Sequence, residues 1–161
     1  MNSYEALIDE CSKDNIDVIE KRFKSNAKGL WKDHKIGISS RLSTISEKYC
    51  TLAEEYGHFK TTYGNILDLS NISNLKQEMR ARAYGFEKLC SIEKIINAIE
   101  HGALSMYEIA EYLDVTNDFL SNAIEYHKRK NGLLWKHGDF IVCFEPTIRI
   151  IKIDKNIIYL I

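Results

Sequence analysis

Between residues 44 and 63 the chain carries one apolar stripe at helical spacing: Ile45, Tyr49, Leu52, Tyr56, Phe59 and Tyr63. At about 100° per residue these six fall within about 40° of one line, which demands a helix with one face against a core. Ser43 or Thr44 caps it, with Glu47 as the capping-box acid, and Gly64-Asn65 ends it. After a loop over 68–73 a second helix is expected to run to about Cys90, burying Leu75, Met79, Ala83, Phe86 and Leu89.

Shorter elements surround this pair. Tyr4, Leu7, Ile8 and Cys11 predict a helix from Ser3 to about Lys13, and residues 16–23 read as extended. Gly29-Leu30-Trp31 and Ile36-Gly37-Ile38 flank a polar stretch and form a hairpin. From Ser91 the texture changes to three short helices over 92–101, 105–113 and 116–130. A second hairpin follows, 133–135 with 140–144, and then an Ile-rich extended end over 148–161.

Composition narrows the function classes. With 161 residues, 45% of them hydrophobic, the chain makes one compact domain or a small core with a subdomain. Lys and Arg number 22 against 23 Asp and Glu, so no global basic field points to nucleic acid. No apolar run is long enough to span a bilayer, and the first residues lack the pattern of a signal peptide. A cytoplasmic protein without membrane contact is expected. Cys11, Cys50, Cys90 and Cys143 form no C-x-x-C pair and are expected as reduced, half-buried thiols.

The chemistry lies on the 44–63 helix, on the side away from its stripe. Glu54 and His58 are one turn apart on one face, with Glu55 beside them. A zincin helix, H-E-x-x-H, has this geometry: side chains at i and i+4 clamp a metal and the intervening Glu serves as base. The ordinary alternative is a solvated polar face. Gly57 speaks against it, because glycine in mid-helix costs about 1 kcal/mol relative to Ala and a solvated face gives no reason to keep it. Ala53 and Gly57 make a smooth strip, and Glu78, Ala81 and Gly85 repeat the pattern on the next helix. Two helices pressed along those strips would bring Glu78 towards Glu54 and His58.

Leu52-Ala53-Glu54-Glu55-Tyr56-Gly57-His58-Phe59, with the segment from Gln77 to Leu89, resembles the paired helices of the ImmA/IrrE-type metallopeptidases. Lys28-Gly29-Leu30-Trp31 and Ile36-Gly37-Ile38 are similar to that family's small sheet. The likeness covers roughly residues 4 to 145. It implies a zincin-like fold with His58 and Glu78 as ligands, Glu55 as catalytic base and Zn2+ as cofactor. It also implies a protein substrate, typically a helix-turn-helix repressor whose cleavage derepresses a phage or mobile element. Glu54 stands where the family usually places a His ligand. Carboxylate is an acceptable zinc ligand, but two carboxylates leave a weaker Lewis acid and make Mn2+ or Fe2+ more plausible. A catalytically weakened anti-repressor, with the scaffold kept as a binding protein, is therefore the alternative expectation. His34, Tyr63 and Tyr84 are candidates by type for a second electrophile, and the Ile36-Gly37-Ile38 strand for pairing with an extended substrate.

Residues 105–130 also have helix-turn-helix spacing, with Ala110, Val115, Leu120 and Ala123 at inward positions. A winged-helix DNA binder is the competing expectation. Charge argues against it: residues 92–161 hold 8 Lys and Arg and 10 Asp and Glu, and Asp118 and Glu125 would repel phosphates. The expected architecture is α+β. Residues 1–91 form a zincin-like helical core with a small antiparallel β-sheet, and 92–161 a helix-turn-helix-like region with a hairpin and extended tail. No direct nucleic-acid partner is expected.

Overall fold

The protein is mixed α+β. A computed structural model describes residues 1–62, 71–153 and 157–160, with residues 71–73 and 157–160 described by backbone alone. It divides into two compact units, Met1–Leu89 and Cys90–Ile161. Among the described residues no helix is long and apolar enough to cross a membrane.

The first unit opens with helix α1 (Ser3–Lys13), which buries Tyr4, Leu7 and Cys11. Its N-terminus is closed reciprocally: the Asn2 side chain accepts from the Glu5 N–H, and the Glu5 carboxylate accepts from the Asn2 N–H, each at 2.9 Å. Strands β1 (Asp17–Lys21), β2 (Gly29–Lys32) and β3 (Lys35–Ser39) form a sheet in the order β1-β3-β2. The expected antiparallel sheet is in fact mixed, because β1 joins the far edge of β3 and runs parallel to it. The connection after β1 must therefore cross the end of the sheet, and Arg41 pins it there. Its guanidinium donates to the carbonyls of Phe23 and Ser25 at 2.8 and 3.0 Å. Ile36 and Ile38 face inward and are fully buried, and β2 and β3 lie against helix α2 (Ile45–Thr62).

Helix α2 is capped as expected. Thr44 Oγ1 accepts from the Glu47 N–H, and the Glu47 carboxylate gathers the N–H groups of Ser43 and Thr44. The single stripe is too simple a description. Leu52, Tyr56 and Phe59 are buried, but so are Cys50, Thr51, Ala53 and Gly57, while Ile45 is exposed; Tyr63 lies outside the described residues. The helix is covered on two sides, by the sheet on one and by helix α3 (Asn71–Leu89) on the other, and α1 also packs on it. The expected stripe of α3 fails in its first half. Leu75 and Met79 are exposed by 67% and 61%, and the buried line is instead Ala81, Gly85, Phe86 and Leu89. Small residues win that face because they let the two helix backbones approach.

In the second unit, helices α4 (Ile92–Glu100), α5 (Met106–Tyr112) and α6 (Asn117–Asn131) start at Ser91, Ser105 and Thr116, whose side chains accept from the first turns. Ile95, Ile99, Ile109, Leu120 and Ala123 are fully buried. A tight corner with Asp114 at φ 57° joins α5 to α6. Strands β4 (Leu134–His137), β5 (Phe140–Cys143), β6 (Arg149–Lys152) and β7 (Ile157–Leu160) follow as an antiparallel meander. The imidazole of His127, 2% exposed, lies with Nε2 2.8 Å from the Cys90 carbonyl oxygen and ties α6 to the start of this unit. All four cysteines are free and buried rather than half-buried. Burial pushes the Cys11 thiol up to about 12, which makes it a packing residue.

Candidate metal centre

The seam between α2 and α3 sets the site. A Cβ at Gly57 would overlap the Ala81 carbonyl oxygen, and the backbone of Ala53 lies 3.6 Å from where a Cβ at Gly85 would stand. With nothing between the backbones, residues flanking the strip on each helix meet edge to edge. His58 Nε2 stands 3.2 Å from Glu78 Oε2, joining the helices through an imidazole and a carboxylate. With its proton on Nε2, His58 donates to Glu78. The second oxygen of Glu78 accepts from Arg82 Nε at 2.8 Å, one turn along α3. Glu78 is thus held at both oxygens.

Glu54 and Glu55 are half-buried beside this pair rather than solvated. Burial raises the pKa of Glu54; the charge of Glu78 adds to that, and Arg82 and Lys28 oppose it. Glu55 is pushed up to about 7, by burial first and then by the charges of Glu54 and Glu78, with the Trp31 N–H pulling the other way. That hydrogen bond ties Glu55 to the outer edge of β2. Gly29 makes room for it, since a Cβ there would stand 2.6 Å from Glu55 Cγ and 2.7 Å from the Thr51 methyl carbon. Glu54 and Glu55 thus share a partly desolvated corner in which the charge of Glu78 makes the ionised form of both costlier.

His58 and Glu78 are therefore in contact, and Glu54 and Glu55 sit on the same turn of α2 as His58. Among the described residues, no three His, Cys, Asp or Glu side chains stand close enough to hold a metal ion as they are placed. Of the candidates for a second electrophile, Tyr63 lies outside the described residues. Tyr84 packs edge-on against Tyr56 at 5.8 Å between ring centroids, and burial pushes its phenol up to about 12. His34 sits in the β2–β3 turn, lining a cavity with Asn15, Phe59 and Lys60. The strand expected to receive an extended peptide does not suit that role: β3 is the central strand, with β1 and β2 on its two edges.

Two features went unread in the sequence. Arg82 is one helical turn from Glu78, a spacing that was there to be used. The contact of Glu55 with Gly29 and the Trp31 N–H joins residues far apart in the chain, and only the packing of β2 on α2 creates it. Comparison with family models, with curated proteins and with solved structures returns no match to this chain.

Proposed function

We propose that the chain is a metal-dependent endopeptidase with a zincin-like first unit, acting in the cytoplasm on a helix-turn-helix repressor to derepress a phage or mobile element. The observation that carries this reading is the contact of His58 with Glu78 across the α2–α3 seam, one turn from Glu54 and Glu55. The donor set fits a divalent cation: one imidazole and the carboxylates of Glu54 and Glu78 would hold Zn2+, with Mn2+ or Fe2+ as alternatives. Charge fits too, because burial and neighbouring carboxylate charge disfavour the ionised forms of Glu54 and Glu55 and a cation relieves that. When bound, the metal supplies Lewis acidity to a peptide carbonyl and to the attacking water.

Glu55 is the general base. Its carboxylate takes a proton from the attacking water and delivers it to the leaving amine nitrogen. The Trp31 N–H aims it, and Gly29 leaves the space it occupies. Arg82 fixes the orientation of Glu78 from behind.

The second unit we read as a helix-turn-helix-like module for protein docking. Ala110, Val115, Leu120 and Ala123 are buried at the inward positions of α5, the corner and α6, which supports the resemblance. The exposed start of α6 carries Asn117, Asp118, Ser121 and Asn122, a surface suited to a basic, DNA-binding partner rather than to phosphates. Lys128 is engaged by Glu145 at 2.6 Å. The alternatives are a catalytically weakened anti-repressor that binds without cutting, and a winged-helix DNA-binding regulator.

Elemental analysis of gently purified protein, with repressor-cleavage assays on wild type and Glu55→Gln, separates these. The hydrolytic reading expects one divalent metal per chain, and a Glu55→Gln variant that keeps it but leaves the repressor intact. A metal-loaded wild type that binds the repressor uncut means the weakened anti-repressor. Metal-free protein with salt-dependent affinity for duplex DNA means the regulator.

A further inference from the structure

Among the described residues, the outward face of the β1-β3-β2 sheet, opposite Ile36 and Ile38, is covered at Gly37 by the buried Phe23 ring and open beside it, at Ile19 and Leu30. Strand register places Ile19, Gly37 and Leu30 in one row across the three strands. Ile19 is 41% and Leu30 53% exposed, and Gly37 between them has no side chain, so the row forms a trough. The Phe23 ring fills the space over Gly37 itself, 3.1 Å from where a Cβ there would stand, and forms one wall of the trough. The resulting cavity measures about 620 Å³, within the range of sites that seat ligand side chains.

Its rim is basic. Lys21, Lys32 and Lys35 all line it and all are exposed, against a single acid, Asp33. Half-buried lysines elsewhere in the chain are matched, Lys48 with Glu20, Lys88 with Glu10, Lys128 with Glu145 and Lys152 with Glu100, and the exposed Lys60 pairs with Asp14. Among the described residues the three rim lysines have no carboxylate partner; Lys21 only overlies the Phe23 ring, 5.8 Å from its centroid. Segment 17–41 holds seven Lys and Arg against three acids in a chain of net charge −1. One of those acids, Glu20, is engaged by Tyr4 and Lys48 instead. An apolar trough with a ring of unmatched cations selects for apolar side chains flanked by carboxylates.

We propose that this face is a docking groove for an acidic segment of a partner protein, seating aliphatic side chains against Ile19, Phe23 and Leu30 and carboxylates on Lys21, Lys32 and Lys35. The Phe23 ring at the centre is buried, and the nearby Trp31 ring packs edge-on against Phe59 at 6.5 Å, so neither offers an open stacking platform. Single-stranded nucleic acid is therefore the poorer match. The proposal does not depend on the hydrolytic reading.

The test is an NMR titration of the full chain with three probes: a short alternating Glu/Leu peptide, its Lys/Leu counterpart, and oligothymidylate. The acidic peptide is expected to shift the amides of Ile19, Leu30 and Gly37, and to weaken as salt rises from about 0.05 to about 0.5 M. Changing the three rim lysines together to Ser is expected to cost about tenfold in affinity, as three exposed ion pairs would. Leu30→Ser is expected to weaken binding with the lysines intact. Because all four positions are exposed, the variants keep the wild-type fold, checked by circular dichroism. The proposal is overturned if the basic peptide binds as well, if the acidic one leaves those amides unmoved, if oligothymidylate displaces it, or if sedimentation shows the face buried in a dimer.

Discussion

Glu78 Oε2 stands 3.2 Å from His58 Nε2, and that contact crosses a seam where two helix backbones touch with no side chain between them. The chemistry proposed for the site therefore depends on a packing detail one position away from it. His58 follows Gly57 directly, so the residue that lets α3 approach also sets the height at which the imidazole meets the carboxylate.

Substituting Gly57 by Ala puts two effects in opposition. Alanine is the better helix former by about 1 kcal/mol. Its Cβ, however, would overlap the Ala81 carbonyl oxygen, a backbone atom that cannot rotate aside. Overpacking of this kind costs about 1–3 kcal/mol and should win. Urea denaturation is expected to show net destabilisation, and metal affinity should fall with it. A stabilised Gly57→Ala would mean the seam is not as tight as described.

Arg82 holds the Glu78 oxygen that faces away from His58. Residues that orient metal ligands from behind typically change affinity by about 10- to 100-fold when removed. Arg82→Ala should lower Zn2+ affinity by about tenfold in competition with a chelating dye. Its side chain is largely exposed, so the unfolding midpoint should scarcely move. Equal loss of stability and affinity would point to a structural role instead.

Gly29→Ala should displace Glu55 without touching any proposed ligand, because the new Cβ would meet Glu55 Cγ and the Thr51 methyl group. The readout is the Trp31 amide, which donates to Glu55. Hydrogen exchange there should accelerate in Gly29→Ala and in Glu55→Ala alike, while the amides of Ile36 and Ile38 stay protected. An unchanged Trp31 amide in both variants would remove the link between the strand edge and the base.

Acid should destabilise the first unit through carboxylates held low in the fold. The Glu20 carboxyl lies below its usual 4.5, chiefly because Lys48 donates to it and secondarily through Tyr4. Asp14, held by Lys60 and Tyr56, and Glu47, held by the cap N–H groups, are lowered in the same way. A carboxylate with a depressed folded pKa stabilises the fold above its unfolded value, and that contribution disappears as pH falls through the folded one. Thermal melts of Glu20→Gln should lie below wild type at about pH 7 and converge with it at about pH 3. Parallel curves across that range would contradict the assignment.

Local signals carried far into this fold. The helix Ser3–Lys13 was legible to the residue, and the Thr44–Glu47 cap and the hairpin around Asp33-His34 followed from side-chain chemistry within a few positions. The small residues Ala53, Gly57, Ala81 and Gly85 announced a close helix pair before any coordinate did. Where periodicity was read as a single buried face, it misled: α2 is covered on two sides, and on α3 the exposed Leu75 and Met79 lost the seam to Ala81 and Gly85.

The sequence alone thus determined the helices and the Thr44–Glu47 cap, because each rests on contacts within a turn or two of chain. Tertiary structure decided the rest: that β1 runs parallel to β3, that Arg82 and His58 divide the two oxygens of Glu78, and that the Trp31 N–H reaches Glu55. Such relations need segments brought together across loops, and which edge of β3 the first strand joins, or which backbone group finds a given carboxylate, is fixed by the packing of whole elements rather than by spacing along the chain.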